Sequence, residues 1–197
     1  MECLPSQFNF RKFLFNKALR ILLITNGMIL LAAAMLGPIY ALFVEKVGGD
    51  LLDASLAGSV FAFIAGTTVL LSGKYADKFK EKKLFVVLGY IITGIGFLLY
   101  TQVNSVWFLL LIQALIGFGE AVYNPSFDAI YSEHLDSGKG GTEWGAWEAM
   151  NYYATAIGAL IGGTIVTHFG FNPIFVIMAI LCFASAFYIF NLPRRVL

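Results

Sequence analysis

Six continuous apolar runs constrain the fold of this 197-residue chain more than any other feature. A helix crosses the hydrocarbon layer of a bilayer with about 20 apolar residues, and each run is close to that length. A transmembrane barrel needs strands of alternating polarity instead, which these runs do not show. With 59% hydrophobic and 13% charged residues, the chain is not a soluble globular domain. We predict an all-α membrane protein with six transmembrane helices, at residues 21–44, 54–72, 84–100, 106–132, 143–166 and 173–190.

The basic residues lie almost entirely on one set of alternating connections. Twelve of the thirteen Lys and Arg residues precede the first run, follow the sixth, or lie between the second and third or the fourth and fifth. Lys46 is the exception. Because Lys and Arg are retained on the cytoplasmic side, both termini are predicted to be cytoplasmic, in a multi-pass protein of the plasma or inner membrane. Cleavage of the first run as a signal peptide is the alternative, but this run is span-length.

The chain divides into three parts by composition. Residues 1–20 mix aromatic and basic side chains, which is typical of a segment lying on the inner leaflet. Residues 21–192 form the predicted six-helix bundle, and residues 193–197 form a cytoplasmic tail. Within the bundle, residues 66–73 and 163–170 agree at four of eight positions. Since three helices separate the two copies, we predict two inverted three-helix repeats, an arrangement found in transporters.

The link between the second and third helices has a specific spacing. Gly73 is followed at fixed intervals by Asp77, Lys78, Lys82 and Lys83. A basic stop signal that fixes topology would account for the charges alone. The spacing, however, resembles the signature loop of the major facilitator superfamily, although Lys80 replaces that loop's second Gly. The resemblance implies that Asp77 joins a cytoplasmic charge network that locks one conformation.

The fifth helix carries a second resemblance to that family. Gly145, Ala154, Gly158, Gly162 and Gly163 are spaced like the family's antiporter motif. The residue after Gly158 is Ala where the motif has Pro. Independently of any family, Ala154, Gly158 and Gly162 predict a ridge of small residues that lets two helices pack closely, and Gly163 is the fourth residue predicted for helix packing.

The fourth helix has the strongest chemical pattern. Gln113, Glu120, Asn124 and Asp128 recur at helical intervals and are expected to share one face. Glu120 lies roughly 21 Å along the helix from its start, at ~1.5 Å per residue, which places an acid near mid-membrane. Such an acid faces a cavity or a partner, so Glu120 is predicted to bind a proton or substrate. The alternative is a neutral Glu hydrogen-bonded between helices. Asp128 is predicted to pair with the basic link.

Four further residues are candidates for a substrate or proton cavity: Asn26, Tyr40, Glu148 and Asn151. Each shares a predicted helix face with other small or polar residues, although an isolated Asn in a span also serves to join helices. The sequence has no metal-ligand cluster, phosphate-binding loop or nucleophile–base pair, so we expect no metal site, no cofactor, no catalytic residues and no nucleic-acid partner.

The resemblance to the family implies one six-helix, amino-terminal-type half of a transporter. The predicted function is secondary active transport of a small solute, with proton-coupled antiport as one form. A non-transporting membrane scaffold or assembly partner is the alternative. The predicted partners are the lipid bilayer, a small-molecule substrate and a second six-helix half, which is either a second copy of the chain or a separate carboxy-terminal half.

Overall fold

The computed structural model describes residues 16–76 and 81–193, with Tyr75 and Ala76 described by their backbone alone. The helices in this range are α1 (Lys17–Leu36), α2 (Tyr40–Lys46), α3 (Leu51–Ala76), α4 (Lys82–Leu99), α5 (Val106–Glu133), α6 (Gly140–Phe169) and α7 (Phe171–Phe190). α1 and α2 form one span, Lys17–Lys46, across a short 3₁₀ turn. Six helical segments are therefore long and apolar enough to cross a membrane, which confirms the predicted all-α class and the number of spans.

Local sequence signals set where these helices begin and end. The Asn16 side chain accepts a 2.9 Å hydrogen bond from the Leu19 backbone N–H and caps α1. The Ser105 side chain caps α5 in the same way. Gly170, at φ 79°, adopts a backbone conformation that favours glycine and separates α6 from α7. Because polar caps and first turns belong to the helices, most of the helices extend beyond the predicted apolar runs.

The helices pack in an order that differs from their order in the chain. α5 lies between α3 and α4, α7 lies between α4 and α1, and α6 packs on α1. α3 and α6 bury the smallest share of their surface within the bundle. α1 and α5 touch only slightly, which leaves a cleft between them. This cleft positions the candidate site described below.

Both described ends of the chain lie at the same end of the bundle. The Asn16 side-chain amide donates a 2.7 Å hydrogen bond to the His134 carbonyl, and Lys83 Nζ donates one of 2.8 Å to the Leu192 carbonyl. We call this the terminus end, and the opposite end, with residues 47–50, 100–105 and 170, the far end. An even number of spans requires this arrangement. Its cytoplasmic orientation remains a prediction.

Small residues bring α6 against α1. A Cβ added to Gly158 would lie 2.7 Å from Ala34 Cβ, and one added to Gly162 would overlap the Met35 carbonyl. Ala154, one turn before Gly158, is buried in the same contact. Gly163 faces open space, so it takes no part in this packing. The α1–α6 contact therefore depends on three of the four small residues predicted for helix packing.

Candidate functional site

A cavity of about 380 Å³ lies in the half of the bundle nearer the far end. It occupies the cleft between the first span and α5, with α3, α4 and α7 completing its walls. The lining residues of the first span and α3 are Ala33, Leu36, Gly37, Tyr40, Ala54, Gly58 and Phe61, and those of α4, α5 and α7 are Phe97, Tyr100, Gln113, Ile116, Glu120 and Met178. This volume falls within the roughly 300–1,000 Å³ typical of small-molecule sites.

The cavity brings together three of the predicted site residues. Gln113 and Glu120 reach it from α5. Tyr40, the first residue of α2, reaches it from the first span. Glu120 lies in the middle of α5 and is half-buried. Its carboxyl has no hydrogen-bond or ion-pair partner in the described ranges. The buried Tyr40 hydroxyl makes no well-formed hydrogen bond there, although the Gln113 side chain interacts with it. These two groups are available to a proton, a water molecule or a bound solute.

Asn26 lies outside the cavity and joins three helices instead. Its side-chain oxygen accepts a 3.0 Å hydrogen bond from the Trp147 indole of α6, and its side-chain nitrogen donates one of 3.4 Å to the Tyr90 hydroxyl of α4. Asn26 and Tyr90 are both buried. This contact is the helix-joining role that an Asn within a span often has. Trp147 and Tyr90 were not among the predicted site residues.

The other polar candidates also lie outside the cavity lining. Asn124 and Asp128 continue the α5 face of Glu120 towards the terminus end, where both are exposed. On α6, Glu148 is exposed and Asn151 is half-buried. The face predicted from helical spacing is therefore divided: its first part lines a cavity, and the remainder lies on the surface of the six-helix unit.

The signature link is described only in part. Asp77 and Lys78 lie outside the described residues, whereas Gly73 and Lys82 lie inside them. The Lys82 ammonium pairs with the Glu133 carboxylate at the end of α5. Asp128 has no ion-pair partner in the part of the chain that the structure describes. Lys82 is thus paired with Glu133. The acid predicted to pair with the basic link was Asp128, which lies one to two turns earlier in α5.

A second polar cluster fixes the loop between α5 and α6. The buried Glu143 carboxylate accepts a 2.8 Å hydrogen bond from the Asp136 backbone N–H. The Tyr131 hydroxyl donates one of 2.6 Å to the Glu143 carbonyl. Hydrogen bonds from the Lys139 side chain, and then from Asn16, hold the pKa of the Asp136 carboxyl below its usual value. Sequence reasoning missed this cluster, although Glu143 in the first turn of an apolar helix was a signal.

Residues 16–76 and 81–193 contain no evident metal-binding site. No group of three or more His, Cys, Asp or Glu side chains there could hold a metal ion. Cys182 is buried and unpaired in α7. The cavity's chemistry therefore depends on its carboxyl, amide, phenol and aromatic groups.

The sequence matches the model of the Major Facilitator Superfamily over residues 22–196. It is 29% identical over 164 residues to an uncharacterized MFS-type transporter of Methanocaldococcus jannaschii, covering 79% of this chain and 39% of that protein. It is also 24% identical over 178 residues to the multidrug resistance protein MdtG of Salmonella dublin, covering 88% of this chain and 44% of that protein. MdtG of Dickeya zeae gives the same identity over the same length, with 43% of that protein covered. The chain spans less than half the length of these curated relatives.

Proposed function

Because this chain belongs to the Major Facilitator Superfamily, we propose that it forms one six-helix half of a secondary active transporter for a small solute. The observation that carries this proposal is the far-end cavity, in which Glu120 lies at mid-helix without an ion-pair partner in the described ranges. An acid within a span is costly and is retained where it serves an ion or substrate pathway. The relatives named for transport and multidrug resistance support the same class.

Glu120 is the proposed coupling residue. Its carboxyl has access to the cavity, so it can bind a proton in one state and release it in another. Gln113 and Tyr40 supply further hydrogen-bonding groups within the same cavity. Proton-coupled antiport follows if solute and proton compete for this position.

The charged link at the terminus end is the proposed gate. Asp77, Lys78 and Lys82 would form a charge network with acids at the end of α5, and the contact of Lys82 with Glu133 supports this. Asp128 lies one to two turns before Glu133 and is exposed, so it remains available to Lys78 or to the other half. Such a network favours one of two conformations, as a transporter requires.

We further propose that the working unit contains a second six-helix half. Lipid does not solvate Asn124, Asp128 and Glu148, which are exposed along helices of span length. A second half placed across this surface would enclose it in a hydrated space. Either a second copy of this chain or a carboxy-terminal half would serve, in a plasma or inner membrane. Two identical halves would form an ordinary two-fold dimer.

A non-transporting scaffold is the second candidate function. The exposed faces of α3 and α6 favour it, because these two spans bury little surface in the bundle and could bind another membrane protein. Proton movement separates the two candidates: a scaffold gives no solute-dependent proton flux, whatever its partner.

The test is proton flux in liposomes that contain the purified chain and an internal pH-sensitive dye. Addition of solutes from a panel of uncharged, cationic and anionic compounds should change internal pH for at least one of them. Glu120→Gln should remove this response, because the amide cannot release a proton. Glu45→Gln, which changes an exposed acid at the far end, should retain it. A response that survives Glu120→Gln unchanged contradicts the coupling role. No response to any solute, from liposomes in which two six-helix halves are shown to be paired, contradicts transport.

A further inference from the structure

We propose that the far-end cavity is a binding site for a small aromatic ammonium ion, and that this single six-helix unit supplies the whole site. The inference rests on the proposed function for its physiological meaning, because the ligand would be the transported solute. Binding itself can be measured without transport.

The charge of the cavity favours a cation. Glu120 is its one ionisable carboxyl, and none of its lining residues is basic. The nearby basic residue at the far end, Lys46, is directed elsewhere, with its Nζ 5.4 Å from the centre of the Phe171 ring. An anion entering the cavity would lose its hydration without gaining a counter-charge, which is costly in apolar surroundings. A cation would pair with Glu120.

The rings of the cavity favour an ammonium group and an aromatic body. Phe61, Phe97, Tyr40 and Tyr100 all contribute to the lining. Aromatic faces attract alkylated ammonium ions, and they also pack against a flat apolar body. Tyr100 is fixed by an edge-to-face contact with Phe43, with ring centres 5.5 Å apart. Part of the aromatic wall is therefore held in place before a ligand enters.

The Tyr40 hydroxyl is a second, independent sign of a ligand or water in this cavity. It is buried and makes no well-formed hydrogen bond in the described part of the chain, although the Gln113 side chain interacts with it. A buried polar group normally has a partner, so one left without it indicates a group that enters the cavity. The Tyr40 oxygen and the Gln113 side-chain carbonyl both carry partial negative charge and line the cavity, so they can lie against a cationic head group.

The walls of the cavity come from a single unit. The first span, α3, α4 with the turn after it, α5 and α7 contribute all of its lining residues, so Glu120 and the aromatic rings are in place without a second half. The volume of about 380 Å³ leaves room for an ion the size of phenyltrimethylammonium. This site is therefore expected to bind its ligand in the isolated chain.

Equilibrium binding of radiolabelled phenyltrimethylammonium to the purified chain in nanodiscs tests the proposal. Its charge does not change with pH, so proton release by the probe cannot contribute. We expect saturable binding that benzenesulfonate, a similar ring with a negative charge, does not displace. Tetramethylammonium, which lacks the ring, should displace the probe only at higher concentration. Displacement by benzenesulfonate as effectively as by unlabelled cation overturns the proposal.

Variants separate the role of Glu120 from a general effect of charge. Glu120→Gln should weaken binding at least about tenfold, because the cation loses its counter-charge. Glu45→Gln should bind as the unmodified chain does. If Glu120→Gln does not fold, Gln113→Glu provides the opposite test, since a second acid should strengthen binding. Unchanged affinity in either cavity variant overturns the site.

The two proposals fail in different ways. Cation binding without any solute-dependent proton flux, in a preparation that contains two paired six-helix halves, contradicts transport and supports the site. Proton flux driven by an uncharged or anionic solute, without cation binding, contradicts the site and supports transport.

Discussion

The Ser72 hydroxyl of α3 donates a 2.6 Å hydrogen bond to the Ala121 carbonyl of α5. Pro125 lies four residues after Ala121, inside α5, and has no backbone N–H. The Ala121 carbonyl is therefore the acceptor that a helix leaves unused before a proline. Within a membrane such a carbonyl needs another donor, and Ser72 supplies it from the neighbouring helix. One residue of α3 thus compensates for a proline in α5.

We predict that Ser72→Ala and Pro125→Ala are coupled in stability. Ser72→Ala alone should lower the free energy of unfolding by about 1 kcal/mol, because the Ala121 carbonyl loses its donor. In a Pro125→Ala background the same change should have almost no effect. The backbone N–H of residue 125 then donates a hydrogen bond to the Ala121 carbonyl. Unfolding in mixed micelles measures all four forms of this cycle. Ser59→Ala is the control, because the Ser59 hydroxyl bonds within its own helix. Equal effects of Ser72→Ala in both backgrounds would contradict the coupling.

Adjacent glycines of α6 should differ in their tolerance of a methyl group. Gly162→Ala places a Cβ against the Met35 carbonyl of α1, so α6 must move away. The expected loss is about 1–3 kcal/mol in the free energy of unfolding. Gly163→Ala meets open space and should be neutral or slightly stabilising, because alanine favours helix. Thermal unfolding of the two variants compares them directly, and a similar loss in both would show that this contact is unimportant.

The terminus end is predicted to face the cytoplasm. In a background without the two native cysteines, Asn104→Cys and Asn172→Cys at the far end should react with an impermeant thiol reagent in intact cells. Ser137→Cys, which is exposed at the terminus end, should react only after the membrane is opened. Reaction of position 137 in intact cells, with positions 104 and 172 protected, would reverse the orientation.

The loop cluster at the terminus end should weaken in acid. The pKa of Asp136 is held below its usual value, first by the hydrogen bond from Lys139 and then by that from Asn16. Its stabilising effect is therefore fully present above the usual carboxyl pKa, and it is lost as the pH falls through the lowered value. Lys139→Met should move this loss to higher pH, because the pKa of Asp136 then rises towards its usual value.

Carbon-13 NMR of the Asp136 carboxyl in nanodiscs follows this titration, and the pH dependence of unfolding reports its effect on stability. Asp136→Asn should lack this part of the acid dependence. If the Asp136 carboxyl titrates at its usual pKa in the unmodified chain, the hydrogen bonds from Lys139 and Asn16 do not stabilise the loop as proposed.

The sequence was sufficient for the spans and for part of the cavity. Apolar length predicted all six membrane segments, because a helix must satisfy its own backbone in lipid. Helical spacing placed Gln113 and Glu120 on one face of α5, and both line the cavity. Tyr40, predicted from the first span, reaches the same cavity from α2, the second helix of that span.

The partners of each helix could not be predicted in the same way. Spacing assigns a residue to a face but does not say which helix that face meets. Asn26 was a plausible cavity residue, yet its neighbours are Trp147 and Tyr90, from helices distant in the sequence. The hydrogen bonds from Ser72 to the Ala121 carbonyl and from Tyr131 to the Glu143 carbonyl depend equally on contacts between separate helices.

The packing order also sets the timing of assembly during synthesis. Within this six-helix unit the first span is made before the other five, yet its main neighbours are α6 and α7, the last two of the six. Until α6 enters the membrane, the Asn26 side-chain oxygen has no indole donor, and until α7 follows, the Thr25 carbonyl has no hydroxyl from Ser185. The interhelical donors to these two groups of the first span therefore come only from helices made later in the unit.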